Sequence, residues 1–578
     1  MLLNRRQFSK LIGAASAPLL PGCSFLRRPL DGRCFADPSV SNPAAPLAID
    51  MHVHVFNATD IPVKAFLENV MAKDSKYKRA VELIAPILER IGWDTAPTAK
   101  AELERLALAE QSIARCETEG LKAQIAQDRQ AAYKAGRDSL ISALNATPEF
   151  APAARRNGKL GYSVRNAIAS EIEDLPEDVL DYRKRLGRRQ IYAQREIGAQ
   201  GAIAFILQCF QYRYVNVFDY LDGYSGNAER SIDLMVCHMV DYDWPIAMGR
   251  QTATSFRDQN EVMGRISALT GGRVHSFAAF DPFKEVAFAK GLSRTSPLEL
   301  LKEAVARHGC VGAKLYPPMG FAPYGNAKLQ ADNPKFWAQK WFRADLDTPD
   351  LGKRLDEALA KLYGWCVEQG VPVMAHTNVS LGPAGQFEEL ATAPYWGKAL
   401  EKFKGLRVSF GHFGDTDIVG DRWFRRAEAY ANLMHQEAGA PGEFAYADSA
   451  YFAESLSAPN NVRERLRELL LSTKTKGKAA LAKRLMYGTD WEMLTILSDP
   501  YFEYLSKFVE IFDELAADPA LSDQGKIANQ FFGLNAATLL GLHRNEKTRL
   551  RLESFYARKG VRLPLWMHKL DQAEPKSA

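Results

Sequence analysis

The sequence predicts an α/β fold, a (β/α)8 TIM barrel with a large helical insertion after strand 1. Two observations carry that expectation. Eight short apolar runs alternate with stretches of helical periodicity, the pattern of parallel strands joined by crossover helices. Residues that can bind metal recur at the C-terminal ends of those runs, which a closed barrel gathers at one mouth. An open doubly wound sheet is the alternative, but no GxGxxG follows the first strand.

The chain starts with MLLNRRQFSKLIGAASAPLLPGC, in which Arg5-Arg6 precedes a mild apolar run from Leu11 to Leu20. That run is too short to span a membrane and reads as a signal peptide over 1–23. RRQFSK resembles a twin-arginine export signal, a route that carries folded, cofactor-loaded proteins. Leu20-Pro21-Gly22-Cys23 resembles a lipobox. Two outcomes stay open: a lipoprotein anchored in the membrane through Cys23, or cleavage nearby and a soluble periplasmic protein. Residues 24–46, rich in Pro, Ala and Ser, read as a tether.

The first strand lies in IDMHVHVF, Ile49 to Phe56. A strand repeats every two residues, so His52 and His54 share one face while Met51 and Val53 share the other. Two imidazoles so spaced can grip one metal ion. A strand with two polar residues on a solvated face would look the same.

Residues 57–230 read as a helical insertion or lid, with apolar residues at helical spacing over Lys78 to Gly92 and Ala99 to Ala131. Breakers stand at Pro97, Pro148 and Pro152. Phe205 to Tyr220 (FILQCFQYRYVNVFDY) either lines a pocket or forms a buried helix face. An insertion leaving the end of strand 1 should emerge at the barrel mouth.

The alternating rhythm starts after the insertion. Strands are expected at Ile232 to Val240, Val274 to Phe280, Cys310 to Tyr316, Val371 to His376, Leu406 to His412, Phe444 to Ser449 and Leu485 to Gly488. Helices are expected over Leu298 to Arg307, about Leu351 to Gln369, and around 422–436 and 460–482. The barrel thus occupies 47–56 and 231–545. A basic tail over 546–578 either packs on the barrel or mediates a dimer contact.

His52 and His54 close strand 1, Lys314 lies near the end of strand 4, His376 ends strand 5, His412 ends strand 6 and Asp490 follows strand 8. Four of the ten histidines fall at such ends, and with one Asp in this order they point to a site.

That order resembles the amidohydrolase superfamily, and the finer texture its amidohydrolase-related branch of metal-dependent hydrolases and decarboxylases. The echoes are GAKLYPP (312–318), VMAHTN (373–378), SFGHFG (409–414), YGTDW (487–491) and FFGLNAATLLGL (531–542). The resemblance covers about 46–56 and 232–542 and leaves out the insertion.

It implies that His52, His54, His376 and Asp490 ligate one divalent metal, and nitrogen with carboxylate suits Zn2+. His412 would orient or deprotonate the attacking water, and Asp490 would also shuttle a proton. Lys314 would either meet a substrate carboxylate or, carboxylated, bridge two metals. Tyr316 and Asn378 are substrate-binding candidates. Asp415 and Asp417 either brace a ligand imidazole or are solvated loop acids.

Three functions follow. One is a hydrolase using metal-activated water on an amide, lactone or ester. Another is a decarboxylase (lyase) of an aromatic or unsaturated carboxylic acid. The last is a non-catalytic exported binding protein, whose mark would be a missing ligand; every position is filled. No GxSxG suggests a serine hydrolase, and no HExxH suggests a thermolysin-like site.

The 578 residues are 47% hydrophobic and 25% charged, ordinary for a globular chain, and the net charge of +5 is small. No basic stretch interleaves with aromatics, so the expected partner is a small molecule and not nucleic acid. None of the seven cysteines forms a CxxC pair. Oligomeric state stays open.

Overall fold

The computed structural model describes residues 44–55, 57–71, 78–147, 169–186, 199–224, 229–378, 382–473, 478–496 and 503–573. The leader with Arg5, Arg6 and Cys23, and the breakers Pro148 and Pro152, lie outside them.

Eight strands form one parallel sheet in chain order: β1 (Ile49–Val53), β2 (Leu234–His238), β3 (Val274–Ala279), β4 (Gly312–Leu315), β5 (Val373–His376), β6 (Val408–Gly411), β7 (Ala445–Asp448) and β8 (Leu485–Met486). Three backbone hydrogen bonds join β1 to the β8 end. Met51 N donates to Tyr487 O at 3.0 Å, His54 N to Trp491 O at 2.7 Å and Asp490 N to His52 O at 2.7 Å. The sheet is therefore closed into the expected barrel.

Alternation sorts each strand. Met235, Cys237, Ala313, Leu315, Val373, Ala375, Val408 and Phe410 pack in the cluster that includes the surrounding helices. Their neighbours Leu234, Val236, Phe277, Met374, Tyr446 and Met486 form the inner cluster. His238, Lys314, His376 and Asp448 continue that inward set at the C-terminal ends. Gly312 makes room inside the barrel, since a Cβ there would come within 2.1 Å of the Phe277 ring.

Strict alternation fails in β1. Asp50 pairs with Met235 and Val53 with Cys237, so two residues, Met51 and His52, oppose Val236 alone. This is a β-bulge. It puts Met51 in the inner cluster, not on the outer face shared with Val53. Asp50 receives the hydroxyls of Tyr220 (2.8 Å) and Thr489 (2.7 Å).

Local chemistry sets the helices. Ser255 Oγ caps Phe256–Leu269, and Ser296 caps Pro297–Arg307, which has proline in its first turn. Gly370, left-handed at φ 64°, ends Leu351–Gln369. The helix read around 422–436 is Asp421–Ala431, and the one read around 460–482 is Pro459–Ser472. In both, the chain turns out of helix so that His435 and Lys478 can pair in an isolated bridge.

The insertion is helical over Lys78–Thr95, Ala99–Ala114, Thr118–Ala146, Val179–Leu186, Ala199–Cys209 and Arg213–Gly223. The Ala99 to Ala131 stretch divides between two helices, with Cys116 at φ 55° in the turn. The aromatic stretch is a buried face: Tyr214, Val217 and Tyr220 are fully covered.

The C-terminal helices Lys547–Lys559 and Leu565–Ala573 close the base of the barrel, where the strands begin. Lys569 Nζ meets Asp233 just before β2 (2.7 Å), and Trp566 Nε1 donates to Gly272 O just before β3 (2.9 Å). The tail therefore packs on the barrel. Among the described residues no helix is long and apolar enough to cross a membrane.

Candidate metal centre

β1 delivers His52 and His54 to the mouth, and the chain after β8 delivers Asp490. Asp490 Oδ1 lies 3.5 Å from His52 Nε2 and 3.3 Å from His54 Nε2. One ligand atom from each of the three falls within 4.8 Å of the others. That oxygen is buried and makes no hydrogen bond, although an unmet buried carboxylate oxygen is costly. Each imidazole is oriented from behind: His52 Nδ1 lies 3.2 Å from Asp448 Oδ1, and His54 Nδ1 lies 2.8 Å from the His238 carbonyl. Donation through Nδ1 leaves the Nε2 lone pair for the centre. Two imidazole nitrogens facing an unmet carboxylate oxygen fit a divalent metal such as zinc.

The remaining expected residues sit close by, differently arranged. His376 lies outside the three-residue group: its Nδ1 is 3.1 Å from His412 Nε2. His412 Nδ1 is fixed by the Ala450 carbonyl at 3.0 Å. Lys314 Nζ donates to His52 Nε2 at 3.3 Å, so a bound cation would compete with Lys314 for that lone pair. Tyr316 stacks on His376 at 4.1 Å. Asn378 Nδ2 donates to Thr416 Oγ1 at 3.4 Å. Asp415 reaches no ligand imidazole and is not solvated either; it is buried and takes Arg422 Nε at 2.6 Å. Asp417 is half-buried in the same loop.

Burial holds the imidazoles of His52 and His376 below the ordinary range, and Lys314 adds to this. Burial takes His412 to about 4, with Asp490 opposing. Burial brings Lys314 down to about 8, against the pull of Asp490 and Asp448. For Asp490 burial acts upward, but His412, His54 and Lys314 outweigh it, and the pKa falls. His52, His376 and His412 are thus neutral imidazoles beside an anionic carboxylate.

Two contributors were not singled out in the sequence. Asp448, in FAYADS, ends β7 and accepts from His52 Nδ1 and from the backbone of His412 and Ala450. His238 ends β2 and ties β1 in place through Met51 O at 2.6 Å. Both hold the inward register of a strand end, and that signal was readable.

The loops here carry backbone strain. His412, Phe413, Tyr451, Asp490 and Glu492 have φ of 63°, 45°, 61°, 59° and 29°, a cost that functional sites concentrate. Gly411 gives His52 its space, because a Cβ would lie 2.9 Å from the ring. The insertion reaches the site through an aromatic column. Phe66 stacks on Tyr242 (5.7 Å), and Tyr242 meets Tyr316 edge-on (5.5 Å).

Fold and site define a (β/α)8 barrel with a candidate divalent-metal centre at its mouth. Residues 249–542, just over half of the chain, match the sequence model of the family described as Amidohydrolase. The chain belongs to the amidohydrolase family. The match starts after β2, so His52 and His54 lie outside it and join the site only through the closed barrel.

Solved structures similar to this chain include an uncharacterised TIM-barrel protein from Bordetella bronchiseptica (15% identity, 56% of this chain and 81% of that one, TM-score 0.31). A candidate 2-pyrone-4,6-dicarboxylic acid hydrolase from Pseudomonas putida is similar at 16% identity (57% and 88%, TM-score 0.31). A zinc-bound amidohydrolase from Burkholderia multivorans is similar at 11% (53% and 83%, TM-score 0.29). Likenesses this distant say nothing about the reaction. No curated protein matches the chain. Family and site together give an enzyme of hydrolase or lyase type.

Proposed function

We propose that this chain is a metal-dependent hydrolase of a small amide, lactone or ester. The observation that carries this reading is the buried Asp490 Oδ1, without a hydrogen bond and faced by two imidazole Nε2 atoms. His52, His54 and Asp490 would hold one zinc, with His376 as a further candidate ligand. The ion, when bound, lowers the pKa of a water to about 7 and polarises the substrate carbonyl. Asp448 and the His238 carbonyl hold the two β1 imidazoles in the tautomer that ligation needs. His412, fixed at Nδ1, would take a proton at Nε2, the atom that lies 3.1 Å from His376 Nδ1. Asp490 offers a carboxylate oxygen to move that proton to the leaving group.

Lys314 supports a second reading, a decarboxylase. Its ammonium at the centre could pair with a substrate carboxylate. Carboxylated, the same side chain would instead bridge two metals. Export by the leader is part of the proposal, either to the periplasm or to a membrane anchor on Cys23. A disulfide at Cys116 suits such a compartment.

Elemental analysis of protein purified without added metal tests the site. About one zinc per chain, lost in His52→Ala and kept in Lys314→Ala, is the expected result. Two metals lost in both variants would establish the bridged form, and no metal would overturn the reading. A hydrolysis panel silent beside a carboxylic-acid panel that releases carbon dioxide would replace the hydrolase with the lyase.

A further inference from the structure

His376 ends β5, and a hydrogen bond and a ring stack hold its imidazole. The hydrogen bond sets the tautomer. The Ala450 carbonyl can only accept, so His412 Nδ1 carries the hydrogen that meets it at 3.0 Å. His412 Nε2 is then the acceptor of that neutral ring, and His376 Nδ1 donates to it at 3.1 Å. This leaves the His376 lone pair on Nε2, the same assignment as in His52 and His54. One hydrogen bond does not by itself fix the tilt of a ring.

The stack fixes the tilt. Tyr316 lies face to face with His376, with centroids 4.1 Å and planes 14° apart. Tyr316 follows β4 and precedes Pro317-Pro318, whose rings stiffen the backbone there. Behind it stands Tyr242, edge-on at 5.5 Å and 89°. Phe66 stacks on Tyr242 at 5.7 Å and 9°. Phe66 belongs to the insertion, in the short helix Val63–Phe66 that the π-turn Leu67–Met71 continues. Such turns are frequent at functional sites. Phe66, Tyr242 and Tyr316 share a small apolar cluster, separate from the barrel core, with Val70, Ile246 and Met319. Rings in series thus run from the insertion to the imidazole, and none of the three has a part in the chemistry above.

We propose that Tyr316 is a positioning residue for His376, and that Phe66 acts on the same imidazole through Tyr242. This role rests on the one-zinc hydrolase reading, with His376 as a ligand. It takes Tyr316 out of substrate binding and gives the insertion a share in the metal site.

Chelator competition on the full-length protein at neutral pH reads zinc affinity, and each variant is also melted metal-free. His376→Ala should weaken zinc binding by more than the about 10–100-fold that loss of an outer brace costs. Tyr316→Ala should cost about 10–100-fold, and Tyr316→Phe, which keeps the ring, should cost little. Phe66→Ala should cost about two- to tenfold, the range for one aromatic pair. In the His376→Ala background neither Tyr316→Ala nor Phe66→Ala should weaken zinc further, because the imidazole they act on is gone. A general brace of the fold would weaken both backgrounds alike.

Equal losses in the two backgrounds, a Tyr316→Ala without effect, or a Tyr316→Phe as damaging as Tyr316→Ala would overturn the positioning role. A Phe66→Ala without effect would overturn the part given to the insertion. Phe66 is half-buried, so Phe66→Ala still tests the column should Tyr316→Ala not fold. Wild-type zinc content separates the two claims. Zinc held as tightly in His376→Ala as in the wild type removes the positioning role and leaves the metal reading, and no zinc in the wild type removes both.

Discussion

At the base of the barrel His275 uses both ring nitrogens. Nδ1 meets the Gly309 carbonyl at 2.8 Å and Nε2 the Tyr556 hydroxyl at 2.6 Å. At the mouth His52, His54 and His412 each commit Nδ1 to Asp448 or a backbone carbonyl, and turn Nε2 toward Asp490, Lys314 or another imidazole. The residue type is the same and both places are buried. The base is closed by the apolar faces of two helices, and its polar groups find complementary partners. The mouth crowds groups that cannot satisfy one another. Unmet bonding capacity, and not burial or residue type, separates a site from a structural histidine.

Four changes would break or sharpen that contrast. His52→Ala should reduce activity to background with loss of metal, while melting of the metal-free chain changes little. A large drop in its melting temperature would make the mouth as structural as the base. Trp566→Ala should do the opposite. Removing a fully buried indole costs about 3–5 kcal/mol, read in urea unfolding, with kcat per folded molecule unchanged.

The next effect is pH dependence from the base. Burial takes His275 down to about 4 from 6.5, with the Gly309 carbonyl opposing. The unfolded chain therefore binds the extra proton in that window. The stability that this group contributes, about 3 kcal/mol, is complete above pH 6.5 and lost as pH falls toward 4. His275→Gln should flatten that acid limb in denaturation curves. A limb unchanged in the variant would place the acid sensitivity elsewhere. The smallest effect is expected for Asp448→Asn, which leaves His52 in place but unbraced. Metal affinity should fall about 10–100-fold, measured by chelator competition, with little change in unfolding.

Much of this was legible because it depends on short-range pattern. The eight strand positions follow from apolar runs, and His52, His54, Lys314, His376, His412 and Asp490 are all delivered to one mouth. The β1 bulge was not legible, since a strict two-residue repeat cannot announce the extra residue that turns Met51 inward. Nor was the role of Asp448 against that of Asp415. Both acids follow strand-end patterns, and only the three-dimensional neighbours, His52 for one and Arg422 for the other, tell them apart. The tail stayed ambiguous because its basic composition hides the buried face of Trp566, Met567 and Leu570.

The seam between β1 and β8 has a consequence for biogenesis. Thr489 N and Oγ1 both bond Asp50 across a sequence separation of 439 residues, and Asp490 meets His52 at the same seam. Closing so long a loop is among the last and slowest steps open to a chain. A product truncated between Asp448 and Leu485 keeps seven strands and the HxH pair yet lacks the carboxylate. Under the one-zinc reading, metal uptake would be a completeness check on synthesis, because the site forms only after the first strand and the last have met.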